Sequence, residues 1–418
     1  MLKAPSTYYK QFVTILSGNA LSQLIPFVFA PILAYYFSKA EIGEFSNFLA
    51  LVSLFGIIAN GRLELAIPLP EEKEKAQKIV FTSLIITSLI SILVCLIPLF
   101  ENQFSAILSN LTGIQNKWLI PIGVLSIGVL GVANNWLLRH KNYRLIAVSK
   151  VSQSIVNSGF AALLGFWGWG PEGLVVGWLL SQFIGVFVMW FGMQKIPKIP
   201  YSMHTFKGVL KEYKDFPVIN SLHAFSDIFI TQFLLFYMVS NYYGLAELGL
   251  FAYMNRLVKA PIVLITSSVS QLFYVEANAL ILEKKSVIPI MLKTIKTSLF
   301  FGLPFILVVY FFAPTLFEWY LGDGWGQAGV YARNITPYLL MTFIFSPISM
   351  MSILFKKQKQ FFIWSMAGQL ASIFVLYLGH QLQWTFADTL WLYSMVFVIY
   401  FVFLFWWYLS IAKKAIEK

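Results

Sequence analysis

Residues Ile79 to Leu99 read Ile-Val-Phe-Thr-Ser-Leu-Ile-Ile-Thr-Ser-Leu-Ile-Ser-Ile-Leu-Val-Cys-Leu-Ile-Pro-Leu, 21 consecutive positions without a charged side chain. A helix that crosses a bilayer needs about 20 mostly apolar residues, and this run has that length. Working outward from it, eleven more runs lie between polar breaks. The twelve expected spans cover approximately residues 12–35, 44–66, 79–99, 118–138, 145–166, 173–193, 217–240, 248–272, 297–314, 334–355, 361–380 and 390–411. The first is too long for the core of a cleavable signal peptide and reads as a retained helix. The composition agrees: of 418 residues 58% are hydrophobic and 11% charged, whereas soluble domains carry about 25% charged residues. Soluble, disordered and collagen-like classes are excluded. The expected fold is an all-α polytopic membrane protein of about twelve transmembrane helices.

Enzyme signatures are missing from the sequence. Cys95, inside an apolar run, is the one cysteine, so neither a disulfide framework nor a cysteine metal cluster can form. No phosphate-cradling glycine loop occurs, and His140, His204, His223 and His380 lack metal-ligand spacing. Neither a catalytic residue nor a metal site is therefore assigned.

The net charge of +12 would suggest nucleic acid in a soluble protein. Here the positive-inside rule absorbs it. With a cytoplasmic N-terminus, 23 lysines and arginines fall inside and three outside, Lys39, Lys117 and Arg333. This places both termini in the cytoplasm and leaves no need for a nucleic-acid partner. The basic linker at about 194–216 divides the chain into two sets of six spans, with halves at 1–200 and 201–418. A repeat supports the division: Ala40-Glu41-Ile42-Gly43-Glu44-Phe45 returns 206 residues later as Ala246-Glu247-Leu248-Gly249-Leu250-Phe251, at the first outside loop of each half. Parallel six-span halves with a site between them are a transporter plan.

Ionisable groups at membrane depth carry the functional reading, because each is costly unless it faces protein or water. Asp227 lies near the middle of span seven, with His223 one turn earlier on the same face. They read as a protonatable or cation-binding pair lining a cavity, or as a buried hydrogen-bonded pair. Arg256 and Lys259 share a face of span eight, and the planar fork of Arg suits a phosphate or diphosphate; the bland alternative is an ion pair with a carboxylate such as Asp227. Arg62 and Glu64 end span two. On a helix, residues two apart face different sides, so these two are not expected to pair. Arg62 and Lys150 can also snorkel to the cytoplasmic surface. Pro26 and Pro31 in span one provide either a hinge or a static kink.

At this point a resemblance enters. Gly18-Asn19-Ala20-Leu21-Ser22-Gln23-Leu24-Ile25-Pro26, Ala30-Pro31-Ile32-Leu33, Glu41-Ile42-Gly43-Glu44-Phe45 and especially Gly61-Arg62-Leu63-Glu64-Leu65-Ala66-Ile67 resemble the first two spans of bacterial Wzx-type polysaccharide (O-antigen) flippases. These belong to the multidrug, oligosaccharidyl-lipid and polysaccharide (MOP) exporter superfamily. The motifs cover about the first 75 residues; length, span number and the repeat agree over the rest. The resemblance implies two six-helix lobes around a central cationic cavity that opens alternately to either side of the inner membrane. The cargo would be an O-antigen or capsule repeat unit on undecaprenyl diphosphate, moved from the cytoplasmic to the periplasmic leaflet of a bacterial cytoplasmic membrane. On this view Arg62, Arg256, Lys259 and Lys150 meet the diphosphate, and Asp227, Glu64 and His223 take a coupling Na+ or H+, with no other cofactor. Tyr253, Trp136 and Trp178 would stack on sugars. Partners would be the lipid-linked oligosaccharide, membrane lipids, a polysaccharide polymerase and a chain-length regulator. Two alternatives compete. A multidrug or cation antiporter of the same fold would want an acidic cavity, and a membrane polymerase or glycosyltransferase would want a catalytic carboxylate or a large outside loop.

Overall fold

The computed structural model describes residues 6–193 and 202–414 of the protein. The boundary near residue 200, and Lys3, Lys195, Lys198 and Lys418 of the charge count, lie outside the described residues. Those residues are helical, with no strand among them, and the chain groups into two compact units, Met1–Ser240 and Asn241–Lys418.

The first unit contains α1 (Ser6–Tyr36), α2 (Lys39–Gly56), α3 (Lys73–Val94), α4 (Leu119–Arg139), α5 (Tyr143–Phe166), α6 (Pro171–Met193), α7 (Met203–Glu212), α8 (Ser221–Ile228) and α9 (Leu235–Tyr242), which reaches the unit boundary. The second contains α10 (Leu245–Leu282), α11 (Ile288–Leu321), α12 (Gly326–Asn334), α13 (Thr336–Ile348), α14 (Gln358–Gln381) and α15 (Phe386–Lys414).

Among the described residues nine helical segments are long and apolar enough to cross a membrane, and Ala20–Tyr36 is a shorter apolar helix. Each of the twelve expected runs overlaps a helix. The second falls short because it stops at Gly56, and the fifth, α5, carries Arg144, Lys150 and a row of serines.

Helix α3 buries small polar residues and exposes apolar ones. On α3, Thr82, Ser83 and Thr87 are fully buried while Leu89, Ile92 and Leu93 are more than half exposed. Water would reverse that arrangement; lipid tolerates it, since small polar residues let helices approach and hydrogen-bond. The same chemistry joins α1, α5 and α6. A methyl group on Gly18 would lie 2.5 Å from the Ala147 side chain, and one on Gly177 would lie 2.9 Å from the Ala161 backbone nitrogen. Ser149 on α5 donates to the Gly185 carbonyl of α6 at 3.0 Å.

The basic linker is partly helical. Short α7 is capped by Ser202 and inserts Val209 into a core cluster with Leu63, Ile79, Val132 and Trp136. The Lys75–Glu212 pair, 2.6 Å apart, ties α7 to α3. The second unit is built around Phe273, Met291, Ile348, Leu404 and Tyr408.

Candidate functional site

The segment expected to carry span two to residue 66 is a break. The helix ends at Gly56 and turns run to Arg62 before a short 3-10 helix, Leu63–Ala66. Gly61 and Arg62 both take left-handed backbone angles, φ +58° and +56°. Glycine adopts them freely, and Arg62 at a cost of about 1–2 kcal/mol. Pro68 and Pro70 keep the helix from resuming, since neither can donate a backbone hydrogen bond.

The turn is held by side chains. Asn60, buried, donates through Nδ2 to Thr87 Oγ1 at 3.1 Å and to the Gly128 carbonyl at 2.8 Å. Arg139, at the end of α4, donates to the carbonyls of Ile67 at 3.2 Å and Glu71 at 2.9 Å, and also to that of Pro70. This geometry overturns one expectation. Arg62 and Glu64 do pair, Nη1 to Oε1 at 3.7 Å, because the backbone between them is not α-helical and the left-handed Arg62 turns its side chain back. Glu64 is buried beside Gly131 of α4. Its Oε2 and the Arg62 Nε are buried without a hydrogen-bond partner, so the pair retains unused donor and acceptor capacity.

Span seven borders the same place. It enters through a π-helical turn, Phe216–Asn220, whose Pro217 side chain would lie 3.4 Å from a methyl on Gly61. A second π-helical turn, Phe229–Leu234, follows α8. Asp227 and His223 therefore sit on a two-turn α-helix between two wide turns, a backbone feature that recurs at functional sites. His223 is exposed and Asp227 half-buried. Thr231 donates to the Asp227 carbonyl at 2.7 Å. Phe225, Phe229, Phe233 and Tyr237 form a ladder of stacked rings 5.8 to 6.1 Å apart along this span.

In the second unit α10 runs unbroken for 38 residues. Arg256 lies eleven residues, or about 16 Å, from its first residue. Arg256 and Lys259 are both exposed, while Tyr253, Met254, Leu257 and Val258 behind them are buried. Lys259 Nζ lies 5.8 Å from the centre of the Tyr338 ring, within cation–π range.

Lys150 is half-buried on α5. Helix α1 passes through both Pro26 and Pro31. Pro26 cannot bond the Ser22 carbonyl, and Ser154 of α5 donates to that oxygen instead, at 2.6 Å. Two aromatic expectations are corrected: Trp136 is 1% exposed and Tyr253 5%, the first in the core and the second against Trp325 at 5.0 Å, so neither offers a ring face in this conformation. Trp178 is half-buried, edge-on to Phe48. Sequence reading missed Asn60 and Thr87 as holders of the break, although the Asn60-Gly61 dipeptide is a turn signal.

The chain matches the family described as "Polysaccharide biosynthesis protein" over residues 61–329, a segment that begins at the break and includes every candidate charge above. No curated protein matches its sequence. Among solved structures it is similar to the lipid II flippase MurJ in an inward closed conformation, with TM-score 0.76 at 15% identity over 98% of this chain and 91% of that one. It is similar also to an inward-facing multidrug resistance MATE family transporter of the MOP superfamily, with TM-score 0.68 at 15% identity over 96% of each chain. A third, a MOP superfamily transporter from Pyrococcus furiosus described as having a binding pocket of reverse polarity, gives 0.60 at 15% identity over 98% and 96%. The likeness at this identity is one of fold, that of a polytopic all-α membrane protein, and with the sequence match covering more than half its length this chain belongs to the polysaccharide biosynthesis protein family.

Proposed function

We propose that the protein flips an oligosaccharide repeat unit linked to undecaprenyl diphosphate from the cytoplasmic to the periplasmic leaflet of the bacterial inner membrane, for O-antigen or capsule assembly. The observation that carries the reading is the exposed Arg256–Lys259 face, about 16 Å into a membrane-length helix. An arginine held there without burial needs water or an anion beside it, and a diphosphate offers the planar fork paired oxygens. Family membership supplies the polysaccharide, and the likeness to a lipid II flippase makes a lipid-linked carrier the natural form of it.

In this reading Arg256 and Lys259 hold the diphosphate, with Arg62 and Lys150 as further cations. Glu64, Asp227 and His223 exchange the coupling proton or Na+, Glu64 because its buried carboxylate keeps an unused oxygen and Asp227 because the π-helical turns around it can rewind. Pro26 and Pro31 act as the hinge. Both termini face the cytoplasm, and the delivered units pass to a polymerase and a chain-length regulator. Drug efflux, which would want an acidic cavity, is disfavoured because Arg256 and Lys259, the exposed charges in the first half of α10, are cationic.

The test is lipid analysis of a strain lacking the protein. Intact, unpolymerised diphosphate-linked oligosaccharide should accumulate, shielded from an impermeant sugar-oxidising reagent. Units that reach the outer leaflet normally would contradict the reading.

A further inference from the structure

The second unit holds a cavity of about 200 Å³ inside its own helices. Its polar lining comes from α13 and α14 at helical spacing: Thr342 and Ser346 four apart, Ser365 and Gln369 four apart. Rings of Phe345, Phe401 and Tyr338 form apolar walls, the first two stacked 5.5 Å apart at 17°. No charged side chain lines it. Gln369 Nε2 donates to Ser365 Oγ at 3.3 Å. Thr342 Oγ1 and Tyr408 Oη have no hydrogen-bond partner, and Tyr408 is completely buried. Buried hydroxyls are normally satisfied, so two hydroxyls in the cavity wall keep unused hydrogen-bond capacity.

Neutral hydroxyls and an amide facing aromatic rings suit a group that is polar at its edges and apolar on its faces. A sugar ring is such a group, and an acyl or isoprenyl chain would leave every hydroxyl unused. Tyr338 links the cavity to the charged face: its ring lines the cavity and also lies under Lys259. We infer that the cavity is a sugar subsite, taking a neutral hexose-sized residue of the cargo while the diphosphate sits at Lys259 and Arg256. This inference rests on the flippase reading and goes further, because it locates recognition of the sugar within one unit and away from the charges.

Two lipids test it against the purified full chain: lipid-linked oligosaccharide extracted from a strain lacking the protein, and undecaprenyl diphosphate without sugar, each titrated by native mass spectrometry. Wild type should bind the glycosylated lipid about tenfold more tightly, the worth of one or two added hydrogen bonds. Thr342→Val with Gln369→Leu should erase that preference and leave bare-lipid affinity unchanged. Thr342→Val alone, isosteric and removing only an unpartnered hydroxyl, should fold like wild type and lower the preference about threefold. Variants that retain the full preference overturn the subsite while the flippase reading stands. Wild type that binds neither lipid contradicts that reading, and the subsite with it.

Discussion

The two copies of the Ala-Glu-(Ile/Leu)-Gly-x-Phe repeat begin helices that end in opposite ways. The first starts α2, which stops after 18 residues and breaks at Gly61-Arg62, where one cation is folded back onto a buried carboxylate. The second starts α10, which continues for 38 residues and carries two cations outward on one face. Even the shared glutamate differs. Glu41 accepts from the Ser38 backbone in a capping box, whereas Glu247, behind the uncapped Gly244, accepts from the Tyr331 hydroxyl. A repeat thus conserves where helices start; the side chains that follow decide whether charge is paired inside or displayed.

If that contrast is right, Arg256→Gln has the largest effect. It should weaken binding of the lipid-linked cargo at least about tenfold, the loss of a charge-assisted contact, with normal protein yield because the side chain is exposed. Unchanged binding would break the comparison. Next comes the paired end. Arg62→Leu should cost about 2–3 kcal/mol of unfolding free energy by stranding Glu64, below the range for a fully buried pair because Arg62 is 24% exposed. Adding Glu64→Leu should recover part of that loss; simple additivity would show that the two side chains are not coupled.

Asn60→Ala should destabilise by about 2 kcal/mol, one for each hydrogen bond it donates. The same change at Asn255 on α10 should stay within about 0.5 kcal/mol. Ser154→Ala should cost about 1 kcal/mol by removing the hydrogen bond it donates to the carbonyl freed at Pro26.

The smallest effect is at the surface. The Glu212 carboxylate raises the exposed Lys75 amine above its ordinary 10.5. Its contribution is therefore full below that pH and lost as pH rises through the higher folded value. Lys75→Met should thus match wild type in strong alkali and be slightly less stable at neutral pH. The exposed Lys285–Glu283 pair joins residues two apart and ties no helices together, so Lys285→Met should change nothing measurable.

Fold class was legible because lipid imposes length on helices, and runs such as 79–99 satisfy it plainly. The break at Gly61 was less so. Its Asn-Gly turn signal lay within apolar residues whose summed pattern outweighed it, and the resulting straight helix gave the wrong geometry for Arg62 and Glu64. The cavity left a fainter trace, two pairs of polar residues each four apart, which in a membrane chain also marks ordinary helix packing. Only the rings and unpartnered hydroxyls around them distinguish the two. Arg256 was legible for the opposite reason: a charge at that depth always demands an explanation.

The most direct test is reconstitution. Purified protein in sealed vesicles containing the lipid-linked oligosaccharide should make the inner-leaflet pool accessible to an impermeant oxidant without altering its mass, and Arg256→Gln vesicles should leave that pool protected. Equal exposure by both proteins, or a covalently changed lipid, would contradict transport through the cationic face of α10.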